Sequence, residues 1–400
     1  MISVAEAENI ILQHTFPVQP EAVALSGALG RILAEDLVAD RDFPPFDRVT
    51  MDGIAICLAA FEAGQRAFPI RGVQAAGMPV MSLPNPSDCL EVMTGAMLPQ
   101  GADAVIRYED LHLENGVAQV NCETVNFRQN IHTQGSDRRS GDLLVPRGRK
   151  IGPAEIATAA TIGKSQMQVA RLPKTAIVST GDELVEIAET PLPHQIRRSN
   201  VFSLQALLLD QYRLDSQVFH FPDDQTALAE GLKRIFAEFE LVVLSGAVSE
   251  GKFDFLPEVL ESLGVEKCFH KVSQRPGKPF WFGRLPGRAV VFALPGNPVS
   301  TFLCACRYLL PFLDQCCGLV ARPATYAVLA TEITFRPALT FFLPVRTQIT
   351  ADGVVQAHAL PWHGSGDLAN LNDADGFLEL PLDHTVFNAG AVFPFHRYRF

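Results

Sequence analysis

The chain has 400 residues, of which 48% are hydrophobic and 19% are charged, so its composition is that of a globular protein. This length predicts roughly two to four domains. The formal net charge of −11 argues against nucleic acid or an anionic membrane surface as the main partner, because both favour a broad basic face. The sequence contains neither a secretory signal pattern nor an apolar run of about 20 residues, so we expect a cytoplasmic protein that does not enter a membrane.

The eight cysteines form no CxxC pair, and most of them lie among apolar residues. This pattern favours buried, reduced thiols over a metal site. Cys304 and Cys306 are two residues apart on a predicted helix, where their side chains point to different sides and make a poor metal pair.

The first 172 residues alternate between helical and β patterns. Residues 3–15 and 21–39 have apolar residues at helical spacing, which predicts two connecting helices, the second interrupted by Gly27 and Gly30. Two prolines and an Asp-Gly turn mark a boundary near residue 43. Short β runs separated by Gly, Pro and Asn then predict a β-rich inserted domain; they cover residues 68–73, 89–93, 104–108 and 117–120. A further helix is expected to begin near Pro153.

Residues 174–313 have the pattern of an α/β domain. A helix is expected after residue 199, capped by Ser199 or Asn200, and another over residues 222–239. The β-type runs 241–244 and 289–294 each lead through a glycine loop into a helical pattern, which is typical of βα units in a doubly wound parallel sheet. Ligands bind such sheets beyond the carboxyl ends of the strands. The residues that follow the strands are Gly181, Asp182, Glu183, Asp223, Gly246, Asp254, Gly296 and Asn297.

Residues 266–288 depart from the acidic balance of the chain. Their charged residues are Lys267, Lys271, Arg275, Lys278, Arg284 and Arg288, against the single acid Glu266. Nearby, Asn297 suits a helix N-cap and Pro298 the first helical position, so the backbone N–H groups of Gly296 and Asn297 are expected to face an anion. The carboxylate of Asp254 beside this basic segment suggests an anion bridged by a metal ion.

From residue 321 the sequence becomes a series of alternating runs with Pro and Gly turns, which predicts a small C-terminal β domain. The expected fold is a multidomain α/β protein. A helical and extended linking domain covers residues 1–42 and 138–172, and the β-rich inserted domain covers 43–137. The central doubly wound α/β domain covers residues 173–318, and a small barrel-like β domain covers 319–400.

The motifs together resemble the molybdopterin molybdenumtransferase family, which includes the C-terminal domain of gephyrin. Each motif alone is weak, but the set is specific because the order and spacing also match, and it covers nearly the whole chain. The matching stretches are PPFDRVTMDGIAI (44–56), VMTGAMLPQGADAVI (92–106), STGDEL (179–184), SGAVSEGKFDF (245–255), RPGKPFWFG (275–283) and LPGNPVS (294–300). In fold, the resemblance implies a molybdopterin-binding-like α/β domain.

The resemblance also implies a four-part subunit in a homodimer. It implies further that the α/β domain of one subunit faces the β-rich inserted domain of the other across the active cleft. The implied reaction combines adenylylated molybdopterin with molybdate, with Mg²⁺ as the divalent ion, to give molybdenum cofactor and AMP. The partners would be the pterin substrate, a second copy of the chain and other proteins of cofactor biosynthesis.

Carried over residue by residue, the resemblance implies three sets of site residues. The catalytic set is Asp52, Thr94, Asp137, Glu183, Asp223 and Asp254. The carboxylates expected to hold Mg²⁺ are Glu183, Asp223 and Asp254, because oxygen donors suit that ion. The substrate-binding set is Lys271, Arg275, Lys278, Gly246, Ser249, Gly296, Asn297, Pro298 and Ser365, in which the cations would neutralise phosphate or molybdate oxygens.

Simpler roles remain open for several of these residues. Asp52 could serve only the Asp-Gly turn, and Asp223 and Asp254 could cap helices. Lys271 and Lys278 could be ordinary solvated charges. Trp281 and Phe282 are expected in the core rather than as a pterin platform.

The chain also departs from the family pattern. His132 replaces an expected basic residue and Ser136 an acid, Arg275 replaces a lysine, Ala247 replaces a second glycine, and residues 197–200 differ.

Three hypotheses about function follow. The first is an active molybdenum-inserting transferase, and the second is a catalytically impaired pterin-binding or scaffolding relative. The third is an adenylyl-transferring or pyrophosphate-cleaving enzyme, against which Asp52, Thr94 and the C-terminal β domain argue.

Overall fold

The computed structural model describes residues 1–246, 248, 255–321, 323–361 and 364–399. The chain forms two compact units. The larger unit comprises residues 1–35, 148–152 and 166–400, and the smaller unit comprises residues 36–147 and 153–165. Each unit has its own apolar core.

The first part of the chain contains short strands and four helices. In chain order these elements are α1 Val4–Leu12, β1 Pro20–Ala24, α2 Leu25–Ala28, β2 Leu37–Val38, β3 Arg48–Val49, β4 Gly53–Ile56, α3 Leu58–Glu62, β5 Ala67–Gln74, β6 Cys89–Val92, β7 Ala104–Arg107, β8 Leu111–Glu114, β9 Val117–Val120, β10 Ile131–His132, β11 Leu143–Val145, α4 Pro153–Thr161 and β12 Gln166–Ala170.

The rest of the chain contains longer strands and helices. They are β13 Thr175–Thr180, β14 Leu184–Val185, β15 Ile196–Arg197, α5 Asn200–Tyr212, β16 Ser216–Phe221, α6 Gln225–Glu238, β17 Leu241–Ser245, α7 Leu256–Ser262, β18 Glu266–His270, β19 Gln274–Arg275, β20 Trp281–Leu285, β21 Ala289–Leu294, α8 Pro298–Cys304, α9 Leu310–Cys316, β22 Tyr326–Leu329, β23 Ile333–Thr334, β24 Thr340–Ile349, β25 Val355–Ala359, α10 Leu368–Asp373, β26 Gly376–Leu380, β27 Val386–Phe387 and β28 Val392–Arg397. A π-helical turn, Ala305–Leu309, joins α8 to α9.

The smaller unit contains a six-stranded sheet in the order β7-β4-β6-β5-β9-β8. Each of the four β runs expected in this region coincides with one of its strands, so that prediction is confirmed, and only Met93 and Tyr108 lie just beyond the strand ends. Ile54, Phe68 and Ile106 are fully buried between the sheet and helix α3 and form part of the core of this unit. Helix α4 begins at Pro153, as expected.

The long helix expected over residues 21–39 is wrong. The segment begins with β1, which pairs antiparallel with β12 so that Pro20 faces Ala170 and Ala24 faces Gln166. Helix α2 then lasts only to Ala28, and Gly30 adopts a φ of +80° that no regular helix contains. The spacing of apolar residues favoured a helix, but pairing with a distant strand outweighs local preference.

The larger unit contains the doubly wound sheet, in the order β16-β13-β17-β21-β20-β18. The first four strands are parallel, and β20 and β18 are antiparallel at one edge. Every residue of β17 and of β21 is buried, because helices cover both faces of a sheet of this type. The helices α5, α8 and α9 pack on one face, and α6 and α7 pack on the other. The predicted α/β fold is confirmed.

The C-terminal region forms a closed five-stranded barrel. Its strands follow the order β24-β25-β22-β28-β26, and β26 pairs back onto β24. Strand β19, from the α/β region, adds to β24 in parallel, with Gln274 beside Thr340. This arrangement confirms the small barrel-like domain. The residue boundaries of the four-part division remain a prediction.

The eight cysteines are free thiols, and Cys89, Cys304, Cys316 and Cys317 are buried. Burial raises the pKa of Cys304 to about 12, which keeps the thiol protonated. Within the described parts of the chain, no helix has both the length and the apolar character needed to cross a bilayer.

Candidate functional site

A cleft of about 240 Å³ lies at the carboxyl ends of the parallel strands in the larger unit. It is lined by Ser179, Thr180, Glu183, Leu184, residues 196–201, Ser245, Gly246, Gly296, Asn297 and Pro298. The expectation that ligand-facing residues follow the strands is therefore met at the ends of β13, β17 and β21. Five predicted site residues line this cleft together: Glu183, Gly246, Gly296, Asn297 and Pro298.

The side chain of Asn200 shapes this cleft. Its Nδ2 donates hydrogen bonds to Ser245 Oγ at 2.9 Å, to the Gly296 carbonyl at 2.6 Å and to Thr301 Oγ1 at 3.2 Å. It thereby ties the ends of β17 and β21 and the first turn of α8 to the start of α5. Ser199 is the N-cap residue of α5, as expected, but its side chain makes no capping bond. Sequence reasoning missed the role of Asn200.

A second cleft, of about 350 Å³, adjoins the same loop of the larger unit. It is lined by residues 274–279, Pro295, Asn297, Ser300, Leu339, Gly364 and Ser365. The predicted substrate-binding residues Arg275, Lys278 and Ser365 meet here, and Asn297 lines both clefts. Asn297 Nδ2 donates to Ser365 Oγ at 2.7 Å, and Val299 N–H donates to the Ser365 carbonyl at 3.1 Å.

The start of α8 has the expected form with one difference. Asn297 is the N-cap residue and Pro298 begins the helix, as predicted. The Asn297 side chain makes no capping bond, since its amide donates to Ser365 instead. The side chain is therefore used to connect the α/β region to the segment that follows the barrel strand β25.

The basic segment 266–288 divides into structural cations and cleft cations. Lys267 Nζ lies 3.0 Å from Glu261 Oε1, Arg284 Nε lies 2.8 Å from Glu266 Oε2, and Arg288 donates to the carbonyls of Phe236 and Ala237. Arg275 and Lys278 line the second cleft. Lys271 lines neither cleft, although the sequence pattern groups it with Arg275 and Lys278. Its backbone has a φ of +72°.

The predicted metal-binding carboxylates are only partly placed. Glu183 lines the first cleft and folds back over Gly181, where an added Cβ would lie 2.5 Å from Glu183 Oε2. Asp223 follows the neighbouring strand β16, and its N–H donates to Asp182 Oδ1 at 3.1 Å. The α6 cap is Asp224, whose Oδ1 accepts from Ala227 N–H at 2.7 Å, so Asp223 does not serve that alternative role.

Asp254 and Ser249, and the departure at Ala247, lie outside the described residues. Glu183 and Asp223 carry carboxylate oxygens, the donor type that Mg²⁺ prefers, but only Glu183 lines one of the two clefts. Among the residues that the structure describes, no three His, Cys, Asp or Glu side chains come together as a metal site.

The smaller unit places Asp52 and Thr94 in direct contact. Asp52 Oδ1 accepts a hydrogen bond from Thr94 N–H at 2.6 Å and another from Thr94 Oγ1 at 2.8 Å. These two bonds hold the pKa of the Asp52 carboxyl below its usual value. Asp52 therefore does more than serve the Asp-Gly turn: its charge is fixed beside a hydroxyl group at an exposed position.

Asp137 in the smaller unit is bound by the unexpected His132. Asp137 Oδ1 lies 2.8 Å from His132 Nε2, and Arg48 Nη2 lies 3.0 Å from His132 Nδ1. Because arginine can only donate, the imidazole proton lies on Nε2 and is donated to Asp137. Pairing of β3 with β10 places Arg48 opposite His132. Sequence reasoning noted the departure at His132 but missed Arg48, whose contact depends on this strand register.

Trp281 and Phe282 belong to the core, as expected. Both side chains are fully buried, on opposite faces of the α/β sheet. Neither lines the two clefts described above.

Comparison with known proteins gives the class of protein. Residues 2–163 match the model of the MoeA N-terminal region (domain I and II), residues 176–315 a probable molybdopterin binding domain, and residues 326–398 the MoeA C-terminal region (domain IV). Two structures of the molybdopterin biosynthesis moeA protein from Pyrococcus horikoshii cover 100% of both chains, with TM-scores of 0.84 and 0.83 and identities of 28% and 26%.

Curated relatives identify the family. A molybdopterin molybdenumtransferase of Synechocystis sp. is 42% identical over 400 residues, which cover 99% of this chain and 100% of the relative. Another, from Synechococcus elongatus, is 33% identical and covers 98% of each chain. The chain belongs to the molybdopterin molybdenumtransferase family, as its motifs suggested.

Proposed function

We propose that the protein is an active molybdopterin molybdenumtransferase of molybdenum cofactor biosynthesis. It inserts molybdenum from molybdate into adenylylated molybdopterin, with Mg²⁺, and releases molybdenum cofactor and AMP. The protein acts as a homodimer, and other proteins of cofactor biosynthesis are its further partners. The family membership and the 42% identity over the full chain support the class of reaction.

The observation that carries the proposal is the sharing of Asn297 between two clefts in one unit. One cleft has the glycine-lined ends of parallel strands, which accept a pterin or nucleotide group in folds of this type. The other presents Arg275 and Lys278, which suit phosphate or molybdate oxygens. An adenylylated pterin joins an aromatic group to a pyrophosphate, so it matches two adjoining clefts of these characters.

Most of the predicted residues then have a role. Arg275 and Lys278 bind and neutralise the anionic oxygens, and the loop at Gly296 supplies backbone donors. Glu183, Asp223 and Asp254 would hold Mg²⁺, which supplies charge neutralisation at the pyrophosphate. The residues of the smaller unit, Asp52, Thr94 and Asp137, would position molybdate from the opposing subunit. Such a reaction depends mainly on positioning and charge neutralisation.

The direct test is AMP release from adenylylated molybdopterin, with and without molybdate, at fixed Mg²⁺. We expect molybdate-dependent release together with formation of the cofactor. Lys278→Ala should weaken substrate binding, whereas Lys267→Ala should leave release unchanged because Lys267 is paired with Glu261 away from both clefts. Absence of AMP release and of cofactor would reject the proposal. Tungstate in place of molybdate measures the choice between the two oxyanions.

A second candidate is a catalytically impaired pterin-binding or scaffolding relative. The observation that favours it is His132, whose Nε2 lies 2.8 Å from Asp137 Oδ1 at a position where the resemblance expects another basic residue. Tight binding of the pterin without AMP release would select this candidate. Molybdate-dependent turnover would exclude it.

A further inference from the structure

The loop that carries Arg275 and Lys278 is closed by its own backbone. Val272 N–H donates to the Lys278 carbonyl at 3.0 Å, and Lys271 N–H donates to the Phe280 carbonyl at 2.9 Å. Between these bonds the chain turns through Gly277, which has a φ of +89°. The cations therefore lie on a short closed loop whose path decides where both charges point.

One residue of this loop, Gln274, faces the protein interior. Its side chain is fully buried. Its Oε1 accepts a hydrogen bond from the Tyr308 hydroxyl, and its Nε2 donates to the Gly277 carbonyl at 3.2 Å and to Cys304 Sγ at 3.4 Å. A Cβ added at Gly277 would lie 2.6 Å from Gln274 Nε2 and 2.6 Å from Cys304 Sγ. The Gln274 amide thus holds Gly277 against Cys304, the last residue of helix α8.

The tyrosine that completes this contact lies in the π-helical turn, Ala305–Leu309. Single π turns inside α-helices occur frequently at functional sites. Tyr308 is 1% exposed, and burial raises the pKa of its hydroxyl well above the usual value, so the group remains a donor. The neighbouring Arg307 instead binds Glu8 and Glu379. Within this turn, Arg307 therefore binds the two glutamates and Tyr308 binds Gln274.

The two ends of the loop are held by different means. Ser273 N–H donates to the Ile2 carbonyl at 2.7 Å, and Gln274 pairs with Thr340 of the barrel, so backbone contacts hold the first end. At the other end, the backbone bond from Val272 holds Lys278, and the Gln274 side chain holds Gly277. Loss of the Gln274 amide would leave the bond between Val272 and Lys278 in place and would free the turn at Gly277, which lies between Arg275 and Lys278.

We propose that Gln274 and Tyr308 are positioning residues that fix the loop of Arg275 and Lys278 for binding an anionic substrate group. The inference rests on the proposed function insofar as these two cations are the anion-binding groups of the site. Its test uses the purified full chain and inorganic pyrophosphate as the probe, because binding of this anion can be measured by calorimetry whether or not turnover occurs.

The informative variants are Gln274→Met and Tyr308→Phe, each of which keeps the shape and removes hydrogen bonds. We expect each to weaken pyrophosphate binding by roughly three- to tenfold, the range that corresponds to the net contribution of one hydrogen bond. In either variant, adding Lys278→Ala should cost less affinity than it does in the unchanged chain, because residues that act together are not additive. The matched control is Tyr212→Phe, which removes a buried tyrosine hydroxyl bonded to Leu310 and Asp314.

A lower melting temperature with unchanged pyrophosphate affinity, or an effect that simply adds to that of Lys278→Ala, would overturn the inference. If Gln274→Met fails to fold, Tyr308→Phe provides the same comparison. If the unchanged chain binds no pyrophosphate, the anion-binding role of the loop is rejected and the inference with it. If coupling is found but no AMP is released, the inference stands and the proposed transferase activity fails.

Discussion

At the scale of single residues, the most informative contact is that of Asp52 with Thr94. Both hydrogen bonds to Asp52 Oδ1 come from one residue, one from its backbone and one from its hydroxyl. The two contributions can therefore be separated by changing a single side chain. The backbone bond stays when the hydroxyl is removed.

We predict that Thr94→Val raises the pKa of Asp52 toward, but not fully to, its usual value. The hydroxyl bond is lost and the backbone bond remains, so only part of the depression disappears. Carbon-detected NMR titration of the Asp52 carboxyl measures the shift. Thr94→Ser is the control, because it keeps the hydroxyl and should keep the pKa low. An unchanged pKa in Thr94→Val would show that the hydroxyl does not stabilise the carboxylate.

At the scale of elements, Arg307 connects three parts of the larger unit. Its guanidinium lies 2.8 Å from Glu8 of α1 and 2.9 Å from Glu379 of β26, and Glu379 also lies 2.8 Å from His396 of β28. The Arg307 side chain is only 9% exposed. Burial alone would raise the pKa of Glu379, but the hydrogen bond from His396 and the charge of Arg307 outweigh it and lower that pKa.

We predict that Glu379→Gln lowers the free energy of unfolding by about 1–3 kcal/mol, because a buried cation loses one of its two charged partners. The sign of the pH dependence follows from the lowered pKa. The stabilisation is present above the usual pKa of a glutamate and is lost as the pH falls through the lower folded value. Chemical denaturation near neutral pH and in acid should therefore differ less for Glu379→Gln than for the unchanged chain.

The control for this prediction is Asp373→Asn, which breaks the exposed ion pair of Arg346 and Asp373 at 3.4 Å. Exposed pairs contribute about 1 kcal/mol or less, so this variant should change stability little. Equal losses in the two variants would contradict a special role for the buried network. If Glu379→Gln loses as much stability in acid as the unchanged chain does, the pH dependence of stability arises from other groups.

At the scale of the whole molecule, the sequence predicted what depends on local pattern. Parallel strands such as β17 are buried on both faces and therefore read as continuous apolar runs, which made the α/β sheet recognisable. The cleft residues Gly246 and Asn297 followed from their positions after such strands. The motif resemblance supplied Ser365, which local pattern alone did not indicate, and the structure places it against Asn297.

The parts that could not be predicted depend on pairing between distant segments. Residues 21–39 were assigned a helix, since their strand partner β12 lies far along the chain. Arg48 reaches His132 only through the register of β3 with β10. Asn200 and Gln274 are ordinary amides in the sequence, and their roles appear only when several backbone segments surround them. Side-chain contacts that form only when distant segments pack together leave no periodic pattern in the sequence.

The final prediction concerns the proposed homodimer, in which each active site would take residues from both subunits. Asp52→Asn and Lys278→Ala should each reduce AMP release when present in all subunits. If the two variants are mixed under conditions of subunit exchange, half of the dimers contain one of each. In such a mixed dimer one site carries both changes and the other carries neither.

The mixture should therefore recover about a quarter of the unchanged activity if both variants are inactive and exchange is complete. A mixture of Lys278→Ala with itself is the control and should recover nothing. If Asp52 and Lys278 served the same site from one subunit, every site of the mixture would carry one change and no activity would return. Sedimentation of the same samples must give twice the 43.6 kDa mass of one chain, and a monomeric mass would reject the shared site directly.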